Sequence, residues 1–551
     1  MPYPSIPHAC GGVPSSETGP APSREFNLID SPWIKVTGMD MQTRDLSLKD
    51  CLLNAHKLRC LSGETGVQDF AMLRLLLAIL LSVYAREGPD EDQALDRWQE
   101  LWEKGKFGKS EITDYLDTYH DRFWLFDNDR PFYQSTEAAK SSKKRCSVLK
   151  LNGAVNQSGN KKRLFSSASD KEGMPYAEAA RWLVFLQGYD DGSVKSSIKG
   201  GPLLKPAWLG RIGGIYAQGN TLFETLMLNL ILLKNGDEPW PAIIKRPGFC
   251  AVWELDRPVQ AEKISIPQPD TLPALYTLQS RRVFLIREGG LVTSYIVLAG
   301  EYFEIQDAYI EQMTSWKPAE KKGAAMVPRC HTMNRQMWRD LSSLLDLGEK
   351  KGAGLVRWLC QLRKTNCLDS SKAFCLRASG ILYGSATQSC FVDFYDDGTV
   401  FRAGLLEDTD RKWRQKALYE IDLCQKTAYQ ISLLARNLAR ASGYSEGTTD
   451  RKKSSFSWQA DVFYTKIDRA FRLWLKGLDP EVHDDNYADV LRDQVKKTAY
   501  SLARDMVEKA GPAAFRGRFK EGREGKHYSS PEAMNEFNAA LCRIYGSKEK
   551  T

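Results

Sequence analysis

The sequence lacks the motifs that would assign a common enzyme class or a structural metal site. Its 12 cysteines are scattered without a C-x-x-C pair and it has only six histidines, so no zinc site is expected. It contains no G-x4-G-K-S/T phosphate loop and no H-E-x-x-H motif. The N-terminal stretch has no apolar region of the signal-peptide type, which makes a disulfide framework unexpected. We therefore predict no cofactor, no bound metal, no catalytic activity and a reducing, cytoplasmic location.

A large excess of one charge sign and long apolar runs are also absent. The formal net charge is only +8 over 551 residues, which is compatible with a nucleic-acid partner but does not require one. The most apolar stretch, residues 70–85, contains Arg74 and is shorter than the ~20 residues that span a bilayer. We expect a buried helix there and no membrane partner.

The pattern along the chain predicts an α+β protein with three parts. Residues 1–26 are rich in Pro, Gly and Ser and predict a disordered tail. Residues 27–405 predict a large mixed α/β domain, and residues 406–551 predict an all-α four-helix bundle. A chain of this length usually divides into more than one domain.

Individual elements follow from hydrophobic periodicity. In the first domain we predict a long buried helix with Asp69 as its N-cap, and a β-hairpin at the Gly289-Gly290 pair. The predicted helices are near 69–86, 90–103, 174–189, 221–234, 411–441, 459–477, 484–510 and 531–545. The predicted strands are near 27–36, within 250–310 (beginning with "FCAVWEL"), and in the "FCLRASGILYG" and "FVDFYDDGTVF" stretches.

Two Asp-Asp-Gly runs are the only candidates for metal chemistry that we identify. Asp190 and Asp191 precede Gly192, and Asp396 and Asp397 precede Gly398. Carboxylates of this kind bind Mg²⁺ if they meet in space, which would suit a metal-dependent nuclease. Asp-Asp-Gly is also typical of a turn, and we favour a turn at both places.

Basic, glycine-rich loops are the other distinctive feature. Residues 140–163 carry eight Lys/Arg and no acid, which predicts a long surface loop suited to phosphates or to a partner protein. Residues 515–527, "FRGRFKEGREGKH", lie between predicted bundle helices. We favour a solvated turn there; a segment that follows the displaced DNA strand is an alternative only under the family resemblance given next.

Several stretches in order resemble the CasA family, the large subunit of the type I-E CRISPR surveillance complex Cascade. They are "FNLIDSPWIKV", "FAMLRLLLAIL", "DRFWLFDNDRPFYQ", "AEAARWLVFLQGYDDG" and "GNTLFETLMLNL". The resemblance implies a non-catalytic subunit that recognises the protospacer-adjacent motif (PAM) in double-stranded DNA and starts strand separation. The implied partners are the crRNA, other Cascade subunits and a helicase–nuclease, while a purely structural subunit remains a third reading.

The resemblance also implies roles for individual residues. Family residues that wedge into the duplex match Thr387, Gln388 and Ser389, at the tip of a Gly/Ser/Thr loop before an aromatic strand. Other DNA contacts are implied for the segment after the 174–189 helix and for a basic pair, namely Gly192, Ser193, Lys195 and either Arg281 or Arg282. Contacts near the crRNA handle, which hold the subunit in the assembly, are implied for Asn156, Gln157, Lys161, Lys162 and Arg163.

Overall fold

The structure is a computed structural model, and all structural statements below concern the residues that it describes. These are residues 24–85, 91–141, 145–153, 173–196, 203–234, 238–239, 250–256, 264–319, 325–345, 352–384, 391–406, 411–443, 458–479, 485–519 and 527–546.

Helices are distributed along this part of the chain and become dominant toward its C-terminal end. They are α1 (Leu48–Leu53), α2 (Gly66–Tyr84), α3 (Glu91–Lys104), α4 (Lys109–Thr118), α5 (Thr136–Ala139), α6 (Tyr176–Tyr189), α7 (Leu222–Asn229), α8 (Leu272–Tyr276), α9 (Leu341–Leu344), α10 (Gly354–Lys364), α11 (Arg411–Ala441), α12 (Trp458–Gly477), α13 (Asp489–Arg516) and α14 (Ser530–Gly546).

The strands form small sheets in which almost all pairs are antiparallel. They are β1 (Arg24–Asn27), β2 (Ile34–Gly38), β3 (Thr43–Leu46), β4 (Leu58–Leu61), β5 (Trp124–Asp127), β6 (Cys146–Ser147), β7 (Gly214–Gln218), β8 (Leu233–Lys234), β9 (Glu238–Pro239), β10 (Ile264–Ser265), β11 (Arg281–Glu288), β12 (Leu291–Ala299), β13 (Glu301–Tyr302), β14 (Trp316–Pro318), β15 (Met326–Pro328), β16 (Ala373–Tyr383), β17 (Phe391–Arg402), β18 (Arg518–Phe519) and β19 (His527–Tyr528). The protein is thus α+β, with antiparallel sheets followed by a helical C-terminal region, as predicted.

Helix α2 forms the centre of the N-terminal core. It is apolar around its whole circumference, which is the pattern of a helix buried on all sides. Its length and composition would fit a membrane span, but 83% of its most apolar window is buried within the protein. The side chain of Arg74 is satisfied inside the core, because it donates to both carboxylate oxygens of Glu311 at 2.8 and 2.9 Å.

The start of α2 differs from the prediction. Thr65 is the N-cap, and its hydroxyl accepts a hydrogen bond from the backbone N–H of Gln68 at 3.2 Å. Asp69 lies within the first turn and accepts a hydrogen bond from the N–H of Gly63 at 2.7 Å. The helix therefore begins four residues earlier than the apolar run suggests.

The strand pair β16–β17 is a long antiparallel hairpin, and β7 pairs with the other edge of β16. The register joins Tyr383 to Phe391 at the tip and Ala373 to Arg402 at the base. The predicted turn at Asp396-Asp397-Gly398 is wrong, because all three residues lie inside β17. The predicted strand at residues 249–255 is also wrong, because Val252–Glu254 is a 3-10 helix.

The four C-terminal helices lie close to their predicted bounds, and α11 packs against α12, α13 and α14. Helix α12 also packs on the hairpin. Arg472 donates to both carboxylate oxygens of Asp397 at 3.0 Å and to Asp468 at 2.9 Å. The ring of Phe471 stacks on Trp338 with a centroid distance of 3.9 Å. Division of the chain near residue 405 stays a prediction, since apolar packing continues across it.

Candidate nucleic-acid interface

Helix α6 touches the described parts of every segment to which the resemblance assigns DNA or assembly contacts. Its sequence is rich in Ala, Leu and aromatic residues, and most of its side chains are buried. Three residues of its last two turns make the decisive contacts: Phe185, Gln187 and Tyr189. The consequence is that one rigid element positions segments that are far apart in the sequence.

The hairpin β16–β17 is attached to α6 at the residues that border its tip. The hydroxyl of Tyr383 donates to the carbonyl of Tyr189 at 2.7 Å. The ring of Phe391 lies 5.5 Å from the ring of Tyr383 and 6.0 Å from that of Phe185. Burial raises the pKa of Tyr383 well above its usual value, so the hydroxyl keeps its proton and remains a donor. The base of the tip is therefore fixed on both strands.

The predicted wedge residues Thr387, Gln388 and Ser389 lie outside the described residues, in the segment 385–390 that joins the two strands. Their role stays a prediction. The contacts above are made by the residues that border the segment, Tyr383 and Phe391, where the described strands stop and resume.

The segment that follows α6 holds a compact cluster of charges. Lys195 lies 2.7 Å from a carboxylate oxygen of Asp191 and 3.2 Å from one of Asp190. Arg281 pairs with Asp190 from β11. Two carboxylates are thus balanced by two cations. The repulsion that two acids would exert on a DNA backbone is consequently offset within the protein.

Burial and neighbouring charges shift the pKa of Asp190 in opposite directions. Burial alone would raise the pKa of this carboxyl group, but the charges of Lys195 and Arg281 and their hydrogen bonds lower it below its usual range. Asp190 is therefore ionised, and its ion pairs hold the start of the segment in place.

Arg281 and Arg282 do not face solvent in this chain, and contact of either one with DNA stays a prediction. Both are only 1% exposed. Arg281 donates to the carbonyls of Asp191 and Lys205 at 3.0 and 2.9 Å, in addition to its ion pair. Arg282 donates to Glu301 at 3.1 Å. Arg281 acts as an internal support that fixes the backbone of residues 190–205.

The other predicted residues of this segment differ in accessibility. Lys195 is 8% exposed and engaged by the two carboxylates, and its contact with DNA stays a prediction. Gly192 is buried and Ser193 is exposed. Val194, which sequence reasoning missed, is 61% exposed beside Ser193. The accessible part of the segment is therefore Ser193 and Val194.

The residues that flank the predicted assembly loop are held by α6 on one side and by β12 on the other. Residues Asn156, Gln157, Lys161, Lys162 and Arg163 fall in the segment 154–172, outside the described residues. Before it, Gly153 lies so close to the ring of Phe185 that a Cβ would overlap the ring. After it, Met174 exchanges two backbone hydrogen bonds with Val292 of β12, at 2.8 and 2.9 Å. The predicted loop of 140–163 also begins later than expected, because Cys146 and Ser147 form β6.

The comparison with known proteins identifies the family. The family model of the CRISPR-associated protein Cse1 matches residues 27–506. This chain belongs to the Cse1 family. The CasA/Cse1 protein of Thermus thermophilus is 29% identical over 332 residues, which cover 58% of this chain. The match spans about three fifths, 60%, of that relative's length.

Solved structures of Cse1 proteins share the fold over nearly the whole chain. Cse1 of Thermobifida fusca has a TM-score of 0.80 at 26% identity, with 95% of this chain and 98% of that chain covered. Cse1 of Acidimicrobium ferrooxidans has a TM-score of 0.76 at 23% identity, with 95% and 99% covered. A structure described as a CRISPR RNA-guided surveillance complex has a TM-score of 0.67 at 17% identity, which shows likeness of fold alone.

The Asp-Asp-Gly runs of this Cse1-family chain have structural partners. Asp396 pairs with Arg377, and Asp397 accepts from Arg472 and from the N–H of Met337 at 2.7 Å. No group of three or more His, Cys, Asp or Glu with metal-binding geometry occurs among the described residues. These ion pairs favour a role for the carboxylates in holding elements together rather than in binding Mg²⁺.

Sequence reasoning also missed the anchoring residues of the Cse1-family interface. Tyr383 and Phe391 flank the predicted tip, and Gln187 receives a hydrogen bond from the N–H of Arg281 and donates to its carbonyl, both at 2.9 Å. A signal for the aromatic pair was present, because large apolar residues border the polar tip on both sides. No local signal points to Gln187.

Proposed function

We propose that the chain is a non-catalytic, cytoplasmic subunit of a crRNA-guided type I-E Cascade complex. It recognises the PAM in double-stranded DNA, opens the duplex with the tip of the β16–β17 hairpin, and helps to recruit a helicase–nuclease. Membership of the Cse1 family carries this proposal. A protein of like fold occurs in a CRISPR RNA-guided surveillance complex, which supports crRNA and other Cascade subunits as partners.

The attachment of the hairpin supports a mechanical role for its tip. Insertion of a side chain between base pairs costs a few kcal/mol of unstacking, so the inserted residue has to be held in place. The tip begins and ends at Tyr383 and Phe391, which are tied to α6 by a hydrogen bond and by ring contacts. Force on the tip is therefore transmitted to the buried core and not absorbed by the hairpin.

The chemistry of Gln388 suits a wedge. A neutral amide enters the base stack without the desolvation cost of a full charge, and it offers a donor and an acceptor to base edges. Ser193 lies on the segment held against the same helix and is exposed, so it is the described residue that we propose for contact with DNA backbone. Gly192 lies beside it and allows close approach of the chain.

A Gln388→Ala variant tests the wedge. The assembled complex carrying it should form R-loops on a duplex target at least about tenfold more slowly, because part of the opening energy is lost. On a target that is already unpaired beside the PAM, the variant should reach the wild-type rate. The exposed Val392→Ala variant in the adjoining strand is the matched control.

Two results would contradict the wedge. One is a wild-type rate of R-loop formation by Gln388→Ala on the fully paired target. The other is an equal defect on paired and pre-opened targets, which would indicate a failure of binding and not of strand opening.

A second variant tests the assembly loop. Replacing Lys161, Lys162 and Arg163 together by Ala should weaken association of the chain with the remaining Cascade subunits and crRNA, because three phosphate-neutralising charges are removed. PAM preference of the complexes that do form should not change. Association measured by mass photometry at several salt concentrations gives the answer, and unchanged association would count against this role.

A further inference from the structure

An exposed aromatic hairpin lies at one end of the C-terminal helices. It comprises the last turn of α13 and the strands β18 and β19. Phe515 is 67% exposed and Phe519 is 74% exposed. Among the phenylalanines that the structure describes, these two alone are exposed. Burying a phenylalanine side chain contributes about 1.5–3 kcal/mol, so two such rings left in solvent within five residues indicate an interaction site.

The backbone holds the two rings on either side of a fixed bend. Gly517 ends α13 with φ of +73°, a conformation that only glycine adopts readily. A Cβ there would overlap the carbonyl oxygen of Tyr528, so the bend is pressed against β19. Four extended residues span at most about 14 Å, which sets the upper limit for the separation of the two positions. The two positions therefore lie close together at one end of the C-terminal helices, where the Phe519 ring also lies 4.9 Å from the ring of His527.

Positive charge surrounds the rings. Arg516 and Arg518 are exposed, and no carboxylate lies within 4 Å of either in the described part of the chain. Arg518 packs against Gly443 just beyond the end of α11, where a Cβ would overlap its guanidinium group. The carboxylate of Glu532 is engaged by His527 at 3.1 Å. Among the described residues, no carboxylate therefore competes with an anionic ligand for the two arginines.

We propose that Phe515, Arg516, Arg518 and Phe519 form a binding site for single-stranded nucleic acid. The exposed rings provide faces on which unpaired bases stack, and the arginines neutralise the phosphates between them. Duplex DNA fits this site poorly, because its bases are already stacked and only its phosphates are accessible. This combination of aromatic faces with cations that no described carboxylate pairs also distinguishes the site from an ordinary apolar docking surface, which is depleted of charge at its centre.

Binding of a fluorescent oligo-dT to the purified full chain tests the proposal. The Phe515→Ala/Phe519→Ala double variant should bind at least about fivefold more weakly, the low end of the effect of removing one stacked base. Arg516→Gln/Arg518→Gln should lower the slope of log affinity against log salt by about 0.7 for each phosphate that is no longer neutralised. Trp458→Ala, which removes a ring that is 55% exposed elsewhere on the helices, should bind as the wild type does.

Conservative variants test whether the rings act through their aromatic faces. Phe519→Tyr keeps an aromatic face and should retain binding, whereas Phe519→Leu keeps only apolar area and should lose it. Equal binding by the wild type and the double alanine variant, or no binding of oligo-dT at low salt, would overturn the proposal. The proposal would also be overturned if replacing these residues abolished binding to another Cascade subunit but left oligo-dT binding unchanged.

The site stands on its own residues and does not depend on the wedge. Gln388→Ala should leave oligo-dT binding unchanged, and the double phenylalanine variant should still respond to a pre-opened target as the wild type does. The two proposals can therefore fail separately.

Discussion

Replacement of Arg281 by methionine should destabilise the protein far more than the same replacement of its neighbour Arg282. Both side chains are 1% exposed. Loss of Arg281 leaves Asp190 buried, with Lys195 at 3.2 Å as its remaining cation. Removing one partner of a buried ion pair costs about 3–5 kcal/mol. Because Lys195 still compensates in part, we expect about 3 kcal/mol.

Arg282 has a different partner. The carboxylate of Glu301 is 28% exposed and can be rehydrated when its cation is lost. The Nε atom of Arg282 is also buried without a hydrogen-bond partner among the described residues, so its removal relieves a penalty. We therefore expect Arg282→Met to cost about 1 kcal/mol.

Urea denaturation and amide hydrogen exchange measure the two effects. A chain of this size need not unfold in two states, so amide hydrogen exchange near the ion pair is the decisive measurement. In Arg281→Met the amides of Lys195, Leu203 and Ala207 should exchange about 100-fold faster, which corresponds to about 3 kcal/mol. Adding Asp190→Asn should restore part of the loss, because the uncompensated charge is removed.

The reasoning is refuted by either of two outcomes. The first is an equal loss of stability in Arg281→Met and Arg282→Met. The second is no recovery in the double variant, which would show that the ion pair does not hold the segment.

Two further variants test other charges. Burial raises the pKa of Asp69 to about 7, so the folded chain keeps a proton that the unfolded chain releases above about pH 4. Stability should therefore fall as the pH rises from about 4 to 7, and Asp69→Asn should flatten this slope in melting temperatures, whereas an unchanged slope contradicts the shift. Arg472→Met should loosen α12 from the hairpin by about 1–2 kcal/mol, because Asp397 and Asp468 are partly exposed and can be rehydrated. Protease resistance of the C-terminal helices measures this, and resistance equal to the wild type would contradict it.

Long periodic elements could be predicted because their own sequence determines them. The pattern of α11 repeats over 31 residues, and its predicted bounds of 411–441 are those observed. The hairpin at Gly289-Gly290 was also predictable from local sequence, because its two-residue turn requires positive φ, which both glycines adopt.

Elements decided by distant partners could not be predicted. Asp396-Asp397-Gly398 has the composition of a turn, yet Arg377 and Arg472 from other elements satisfy the two carboxylates within a strand. Gly398 is tolerated there because its missing side chain leaves room for the Sγ of Cys375. The turn signal was local, and the ion pairs that override it come from arginines 19 and 75 positions away.

In the candidate site, one strand contains both a residue whose burial was predictable from local sequence and one whose burial was not. Alternation in β11 places Arg281 on the same face as the buried Val283 and Leu285, so its burial could have been inferred. Nothing local indicates that the opposite face is covered too. Arg282 lies on that face, beside strand residues that pack against Ala138 of α5.

Helix α6 also acts as a ruler. Its 14 residues rise about 1.5 Å each, so it is a stiff rod of about 21 Å. The hairpin that we propose to open DNA and the loop that we propose to dock the subunit both meet this rod within about one turn, at Phe185 and Tyr189. Their spacing cannot change without breaking the rod. Inserting a single alanine before Phe185 would rotate the contacts of Phe185 and Tyr189 by about 100° around the helix axis relative to the preceding turns. The proposed hairpin and docking loop would then be misoriented relative to the N-terminal core.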